Sequence, residues 1–534
     1  MMNLMRISIV GLMLALQSLS SSAAEPIKLH PLFTDNMVLQ RGKPCPVWGT
    51  ANPGEEIYVQ ITIQTPDGKK EEGQRTKADD KGKWMVKLSA LDQGINGELT
   101  VKPASGKSIV LKNIAMGEVW ICSGQSNMEW SLRNSTGAEE AIKTANFPDI
   151  RLFTVDKFAS LKPLESINKP NHWLVCKPEN VPAFSGVGFF FGRALHQAKK
   201  VPIGLIHTSW GGTPAEAWTS REALLAQSDL AYYVNRLDEQ IKKFDPEQAK
   251  KKNAEMLAKW KTAVEKAKKE GKKAPGRPRL LETPGVGAHQ PSALYNAMIA
   301  PLVPFAIKGA IWYQGESNAG RAYEYRNLFA TMINDWRHQW GEDFPFMLVQ
   351  LAPFASGGKR DGLDWPELRE AQTLATKKLK NVGMAVITDV GEEKDIHPRK
   401  KMPVGERLAL AARAIAYGDK IEFSGPLYES MKTEDNKLML TFSHADGGLV
   451  VKGEKATGFA IAGEDQKFYP AEAVIQGNQV ILSSPMVPKP IAARFGWANY
   501  PVVNLFNKSD LPACPFRTDD FPMVTKPKSP AKRK

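Results

Sequence analysis

The sequence predicts an α/β protein in which a parallel sheet packed between helices is flanked by N- and C-terminal antiparallel β domains. Three observations point to it. Apolar runs alternate with helical stretches from about Gly117 to Gly418, short segments of period two split by turn residues precede them, and strand signals return without helices afterwards. A chain of 534 residues with an ordinary hydrophobic fraction of 42% is folded protein too large for one core, so roughly two to four domains are expected.

Met1 to Arg6 is a short basic start, Ile7 to Leu16 an apolar stretch and Ser22-Ala23-Ala24 a small-residue cleavage site. That is the pattern of a secretory signal peptide over residues 1–24. It is too short to span a membrane, and no later segment reaches the apolar length for spanning. The mature chain is expected to be secreted or periplasmic, without an integral membrane segment. The absence of a cysteine after the small residues argues against a lipid-modified N-terminus.

Residues 25–113 read as a small antiparallel β domain, from alternating segments such as Glu56 to Ile61 and Lys83 to Leu88 separated by Pro-Gly, Asp-Gly and Lys-Gly turns. It is either a carbohydrate-binding module or a buttress for the central α/β domain. Residues 114–420 carry the buried strands Val119 to Cys122, Ile203 to His207, Ala306 to Tyr313, Phe346 to Leu351 and Met384 to Thr388, with helices such as Val187 to Lys199 and Val404 to Tyr417. An insertion over about 221–290 is helical and lysine-rich, broken at Lys272 to Pro278, and is a lid or a decoration. Residues 421–522 return to strands, including Lys437 to Phe442, Leu449 to Lys452 and Gln479 to Leu482, and 523–534 form a basic tail expected to be disordered.

The formal charge of +14 is concentrated in the insertion and the tail. Both stretches read as solvated or disordered segments rather than as a groove with interleaved aromatics, so no nucleic-acid partner is expected. Cys45, Cys122, Cys176 and Cys514 contain no Cys-x-x-Cys pair, which removes a zinc framework and a redox motif. Cys122 reads as a buried thiol; an oxidising compartment permits a disulfide among the others. Gly186-Val187-Gly188 with Gly192 lacks the preceding strand of a dinucleotide loop.

The residues that can carry chemistry fall at or beyond the carboxyl ends of the predicted strands, where open α/β sheets bind ligands. Gly124-Gln125-Ser126-Asn127-Met128 comes after the first, Ser209-Trp210-Gly211-Gly212-Thr213 ends the second, Tyr313-Gln314-Gly315-Glu316-Ser317-Asn318 comes after the third, and Asp395-Ile396-His397-Pro398 lies beyond the last. A serine hydroxyl attacks an ester only when an imidazole takes its proton, a carboxylate orients that imidazole and donors receive the oxyanion. These blocks resemble the SGNH hydrolases, most closely their sialate O-acetylesterase group. The likeness runs from about Leu29 to Pro522, interrupted by the insertion. It implies a three-layer SGNH-hydrolase-like core.

The resemblance implies Ser126 as nucleophile and His397 as general base. SGNH enzymes usually carry the acid as Asp-x-x-His; here the spacing is Asp395-x-His397, one residue shorter. Asp395 is the favoured orienting carboxylate and Asp389 the competitor. His207, which also ends a strand, is the runner-up histidine, better explained as support for the site. Implied oxyanion donors are the backbone amides of Ser126 and of Gly211 or Gly212, and the side-chain amide of Gln314. Glu316 is placed to bind substrate hydroxyls or to brace its loop. Trp210 and Trp218, with Trp130, are candidates to stack on a sugar ring, with core packing the alternative.

The mechanism so implied is two-step acyl transfer on an O-acetylated sugar or glycan, with no metal or organic cofactor. The acetyl group comes from sialic acids or from a polysaccharide such as acetylated xylan. A lipase-like hydrolase is disfavoured by the polarity of the insertion, and a non-catalytic glycan-binding protein on a hydrolase scaffold is the reading from another class.

Overall fold

The computed structural model describes residues 27–527. The signal peptide expected over residues 1–24 lies outside them. The protein is mixed α/β, with one large mixed sheet and additional antiparallel sheets.

The large sheet is organised around a single strand, Ile109–Gly124, 16 residues long. Its first part pairs antiparallel with Gly94–Pro103 and parallel with Val38–Gln40. Its second part pairs parallel with Ile203–Ser209 on one side and Gly309–Tyr313 on the other. Beyond these lie Phe147–Thr154 on one flank, and Phe346–Val349 followed by Val382–Ala385 on the other, all parallel. Leu174–Cys176 closes the first flank antiparallel. The boundary expected near residue 113 therefore falls inside one strand.

Local chemistry explains the difference in pattern. Ile203–Ser209 and Gly309–Tyr313 are buried at every position, as strands covered on both faces are. Glu56–Thr65 and Lys83–Leu88 alternate buried and solvent-facing residues instead. Ile57, Val59, Ile61 and Ile63 point inward from the first of these, each gaining about 1.5–3 kcal/mol from burial. Their apolar interior runs without a break into that of the central strands.

Helices Gly186–Lys199 and Met402–Tyr417 pack on each other and on the sheet, while Ala322–Trp340 packs with Asp364–Lys378. The former pair approach closely because Gly405 leaves room: a Cβ there would sit 2.6 Å from the Phe191 nitrogen. The insertion forms helices Ala231–Lys243 and Pro246–Lys269. The second is capped by Asp245, whose carboxylate accepts the Gln248 amide at 3.0 Å, and starts with proline at its first position. Only Ala249 and Ala267 of its 24 residues are buried, so its lysines are solvated. After the break at Lys272 to Pro278 the chain folds back, with Trp260 Nε1 donating to the Pro275 carbonyl at 2.9 Å.

Residues 427–517 form two four-stranded antiparallel sheets and a two-stranded pair. Most of their apolar residues, including Leu438, Leu440, Phe442, Ile461, Leu482 and Phe495, make a separate core. The tail is ordered further than expected: Thr525 donates its amide to Glu367 Oε2 at 3.0 Å, and its hydroxyl accepts the Tyr323 amide at 2.9 Å. All four cysteines are buried free thiols. Among the described residues no helix is long and apolar enough to cross a membrane.

Candidate active site

The long strand ends at Gly124, where φ is +139° and a Cβ would lie 2.2 Å from the Tyr313 carbonyl oxygen. Only glycine fits so close a backbone approach. The chain turns there, with the Gln125 amide donating to the Tyr313 carbonyl at 3.0 Å, and Ser126–Glu129 makes a single helical turn. Ser209 and Tyr313 are both in register with Gly124, so the segments after three adjacent strands meet at one edge of the sheet. His397 arrives on the loop between Val382–Ala385 and Met402–Tyr417.

Ser126 Oγ and His397 Nε2 are 2.9 Å apart. Asp395 Oδ1 lies 3.6 Å from His397 Nδ1, within ion-pair range but beyond a hydrogen bond, and accepts the His397 backbone amide at 2.9 Å. Asp389 is held elsewhere, in a two-pronged pair with Arg407 at 2.6 and 2.7 Å. Trp130 stacks on the imidazole, with ring centroids 5.4 Å apart and planes 17° from parallel. Burial first, then the nearby Lys401 ammonium, hold the His397 pKa below its ordinary 6.5, against the opposing pull of Asp395 and Glu129. His207 is bonded instead to Ser209 Oγ at 2.6 Å, and burial depresses its pKa to about 4.

Gly211 lies directly against the serine, since a Cβ there would be 3.2 Å from Ser126 Cβ. Its amide donates to Glu129 Oε2 at 2.7 Å, and the other oxygen of that carboxylate takes Lys157 at 2.6 Å. A resident carboxylate thus occupies the amide expected to serve an oxyanion. Gly212 adopts φ +76°, and its open side faces His289, at the end of the insertion. Gln314 is fully buried. Its Nε2 donates to Asn318 Oδ1 at 2.7 Å and to the Thr213 carbonyl at 3.2 Å, and its oxygen accepts from the Tyr325 hydroxyl at 2.9 Å. Both its N–H groups are engaged, so here it braces the Gly211-Gly212-Thr213 loop.

Trp218 corrects an expectation. It is 0% exposed, its Nε1 donates to Thr213 Oγ1 at 2.9 Å, and it packs edge-on against Trp312, so it belongs to the core and cannot meet a sugar. Trp210 is half-buried at the rim, with the Lys157 ammonium 5.8 Å above its ring. Glu316 Oε1 accepts from Asn127 Nδ2 at 2.6 Å, while Oε2 is buried with no partner. Burial pushes its pKa up. Asn127, Glu129, Lys157 and Lys401 all shape the site and were not singled out from the sequence. For three of them the signal was adjacency: Asn127 and Glu129 lie within three residues of Ser126, and Lys401 lies four past His397, whereas Lys157, distant from every block in sequence, gave none. Among the described residues no group of three or more His, Cys, Asp or Glu side chains is placed to hold a metal.

The family model for carbohydrate esterases described as sialic acid-specific acetylesterases matches residues 116–266 and 286–414. The chain is 29% identical to the sialate O-acetylesterase of Mus musculus, covering 94% of this chain and 96% of that one. It is 30% identical to the sialate O-acetylesterase of Homo sapiens, covering 79% and 77% respectively. Among solved structures, a novel carbohydrate acetylesterase from Xanthomonas citri matches with a TM-score of 0.77 at 36% identity, covering 93% of this chain and 100% of that one. With the serine and imidazole joined at the strand ends, these likenesses show that the chain belongs to the sialic acid-specific acetylesterase family of carbohydrate esterases.

Proposed function

We propose that the chain is a secreted or periplasmic serine esterase that removes O-acetyl groups from carbohydrates, sialic acids foremost, on a three-layer SGNH-type core. The observation that carries this reading is the 2.9 Å hydrogen bond between Ser126 and His397, in a chain of this family. Ser126 Oγ attacks the acetyl carbonyl carbon while His397 Nε2 takes its proton; collapse of the tetrahedral intermediate expels the sugar oxygen, which receives that proton. Water, deprotonated in turn by His397, then attacks the acetyl-serine, and acetate leaves as Ser126 regains its proton. Asp395 orients the imidazole and stabilises its charged form; the engagement of Asp389 by Arg407 supports that choice.

The oxyanion is received by the amides of Ser126 and of Gly211 or Gly212, with Gln314 joining by giving up its longer bond, to Thr213. The substrate carbonyl displaces Glu129 from Gly211, and Lys157 keeps the freed carboxylate paired. Glu129→Ala is accordingly expected to lower KM and strengthen competitive inhibition by acetate, each several-fold. An unchanged inhibition constant for acetate would show that Glu129 does not compete at that amide. Because the His397 pKa lies below 6.5, the acid limb of kcat/KM falls below that value, and activity rises with pH as the imidazole loses its proton.

The likeness to a carbohydrate acetylesterase of Xanthomonas citri leaves the sugar open, and acetylated polysaccharides are the second class to test. Acetate release measured on a panel of O-acetylated sialic acids and acetylated xylan oligosaccharides separates the two. Ser126→Ala is expected to lose at least about a thousandfold in turnover with unchanged thermal unfolding. No acetate release by the wild type on any sugar would leave a glycan-binding protein instead.

A further inference from the structure

We propose that Lys401, Asn127 and Glu316 form a buried charged clamp that joins the serine-bearing turn to the histidine-bearing loop, with Lys401 a positioning residue for His397. The inference rests on Ser126 and His397 being the reacting pair. Lys401 is 0% exposed although Arg399 and Lys400 beside it are in solvent. Its Nζ donates to Asn127 Oδ1 at 2.5 Å. Asn127 Nδ2 in turn donates to Glu316 Oε1 at 2.6 Å and to the Ile396 carbonyl at 3.0 Å. One amide side chain, next in the chain to the nucleophile, thus ties together the serine turn, the loop after Gly309–Tyr313 and the residue preceding His397.

A buried ammonium is costly unless an opposite charge and good hydrogen bonds accompany it. Glu316 supplies the charge through Asn127. The Lys401 ammonium also lies 5.7 Å above the Trp130 ring, the ring that stacks on His397, and 5.4 Å from that of Tyr313. Burial lowers the Lys401 pKa to about 7, with Glu316, Asp395 and Glu392 raising it. The charged groups facing His397 are Asp395 on its own loop, Lys401 beyond it and Glu129 from the serine turn, and of these only Lys401 favours the neutral base. The Glu316 carboxylate favours the protonated form of Lys401. The clamp therefore holds two loops in reach of each other and keeps the imidazole free of its proton at lower pH.

The test is the pH profile of kcat/KM on an acetylated sugar that the wild type hydrolyses. Lys401→Met is expected to move the acid limb upward by about half a unit or more and to lower kcat roughly tenfold, with KM within about twofold. Glu316→Gln, which keeps an oxygen for Asn127 to bond, should move the limb the same way by less, because Lys401 then loses its proton more readily. A folded Lys401→Met enzyme whose acid limb stays in place overturns the clamp. Should that variant fail to fold, an unmoved limb in Glu316→Gln overturns it equally. Turnover surviving in Ser126→Ala would refute the underlying assignment of the nucleophile instead, so the two failures are distinguishable.

Discussion

The two β regions at the ends of the chain are attached to the central sheet in opposite ways. The N-terminal region shares a strand with it: Ile109–Gly124 begins among antiparallel neighbours and ends at the turn that presents Ser126, and the apolar interior is common to both. The C-terminal region has its own core and docks through polar groups on the helix Asp364–Lys378. Arg369, fully buried, donates to the Leu351 carbonyl at 2.9 Å and to the carbonyls of Ala498 and Asn499 at 2.8 Å each. Asn499 Oδ1 accepts the Trp365 amide at 3.1 Å, and Arg517 pairs with Glu370 at 2.7 Å. A shared strand makes two regions one cooperative unit; a polar interface leaves two cores that can part.

Substitutions can break this contrast. The largest effect is expected from Ile114→Ala, at a 0% exposed position of the shared strand, which should cost about 2–5 kcal/mol. Calorimetry should show the N-terminal region and the central sheet melting together at a lower temperature, with activity lost in the same transition. Leu440→Ala in the separate core should cost a similar amount at most, yet lower only a transition that leaves esterase activity intact. Loss of activity in step with that transition would mean that the C-terminal region is not separable.

Arg369→Met takes a charged donor away from the carbonyls of Leu351, Ala498 and Asn499, a cost of about 2–4 kcal/mol. Its effect should appear as a split of one calorimetric peak into two and as faster proteolysis near residues 418–426. Thr525→Ala, which removes the hydroxyl's bond to Glu367 and its acceptance of the Tyr323 amide, should cost about 1 kcal/mol and release only the last residues of the described chain, read by proteolytic trimming of the C-terminus.

How much of the fold and the site was legible depended on whether a residue's environment is written in its neighbours. Uniformly apolar strands such as Ile203–Ser209 announced themselves, with errors of a few residues at the ends; Met384 to Thr388 was expected where Val382–Ala385 forms. Phe147–Thr154 was missed because Pro148, Asp149 and Arg151 interrupt its apolar pattern, and the burial of Arg151 beside Asn113 is a tertiary fact. Leu174–Cys176 is too short to give a periodic signal. Within the site, Ser126 and His397 were found from motif and order, and they do meet. Lys401 was hidden in Arg399-Lys400-Lys401, a run that reads as solvated although its last member is the most deeply buried cation of the site. Trp218 misled for the converse reason: proximity in sequence to the Gly211-Gly212 loop carries no information about which way a ring points.

The buried thiols have a practical consequence. Desolvation raises the pKa of Cys45 and Cys176 to about 12 and lifts those of Cys122 and Cys514 as well, so hardly any thiolate forms to initiate oxidation or exchange. Folding in an oxidising compartment would then need no disulfide isomerase, and a version without residues 1–24 made in a reducing cytosol should reach the same fold and tolerate dithiothreitol.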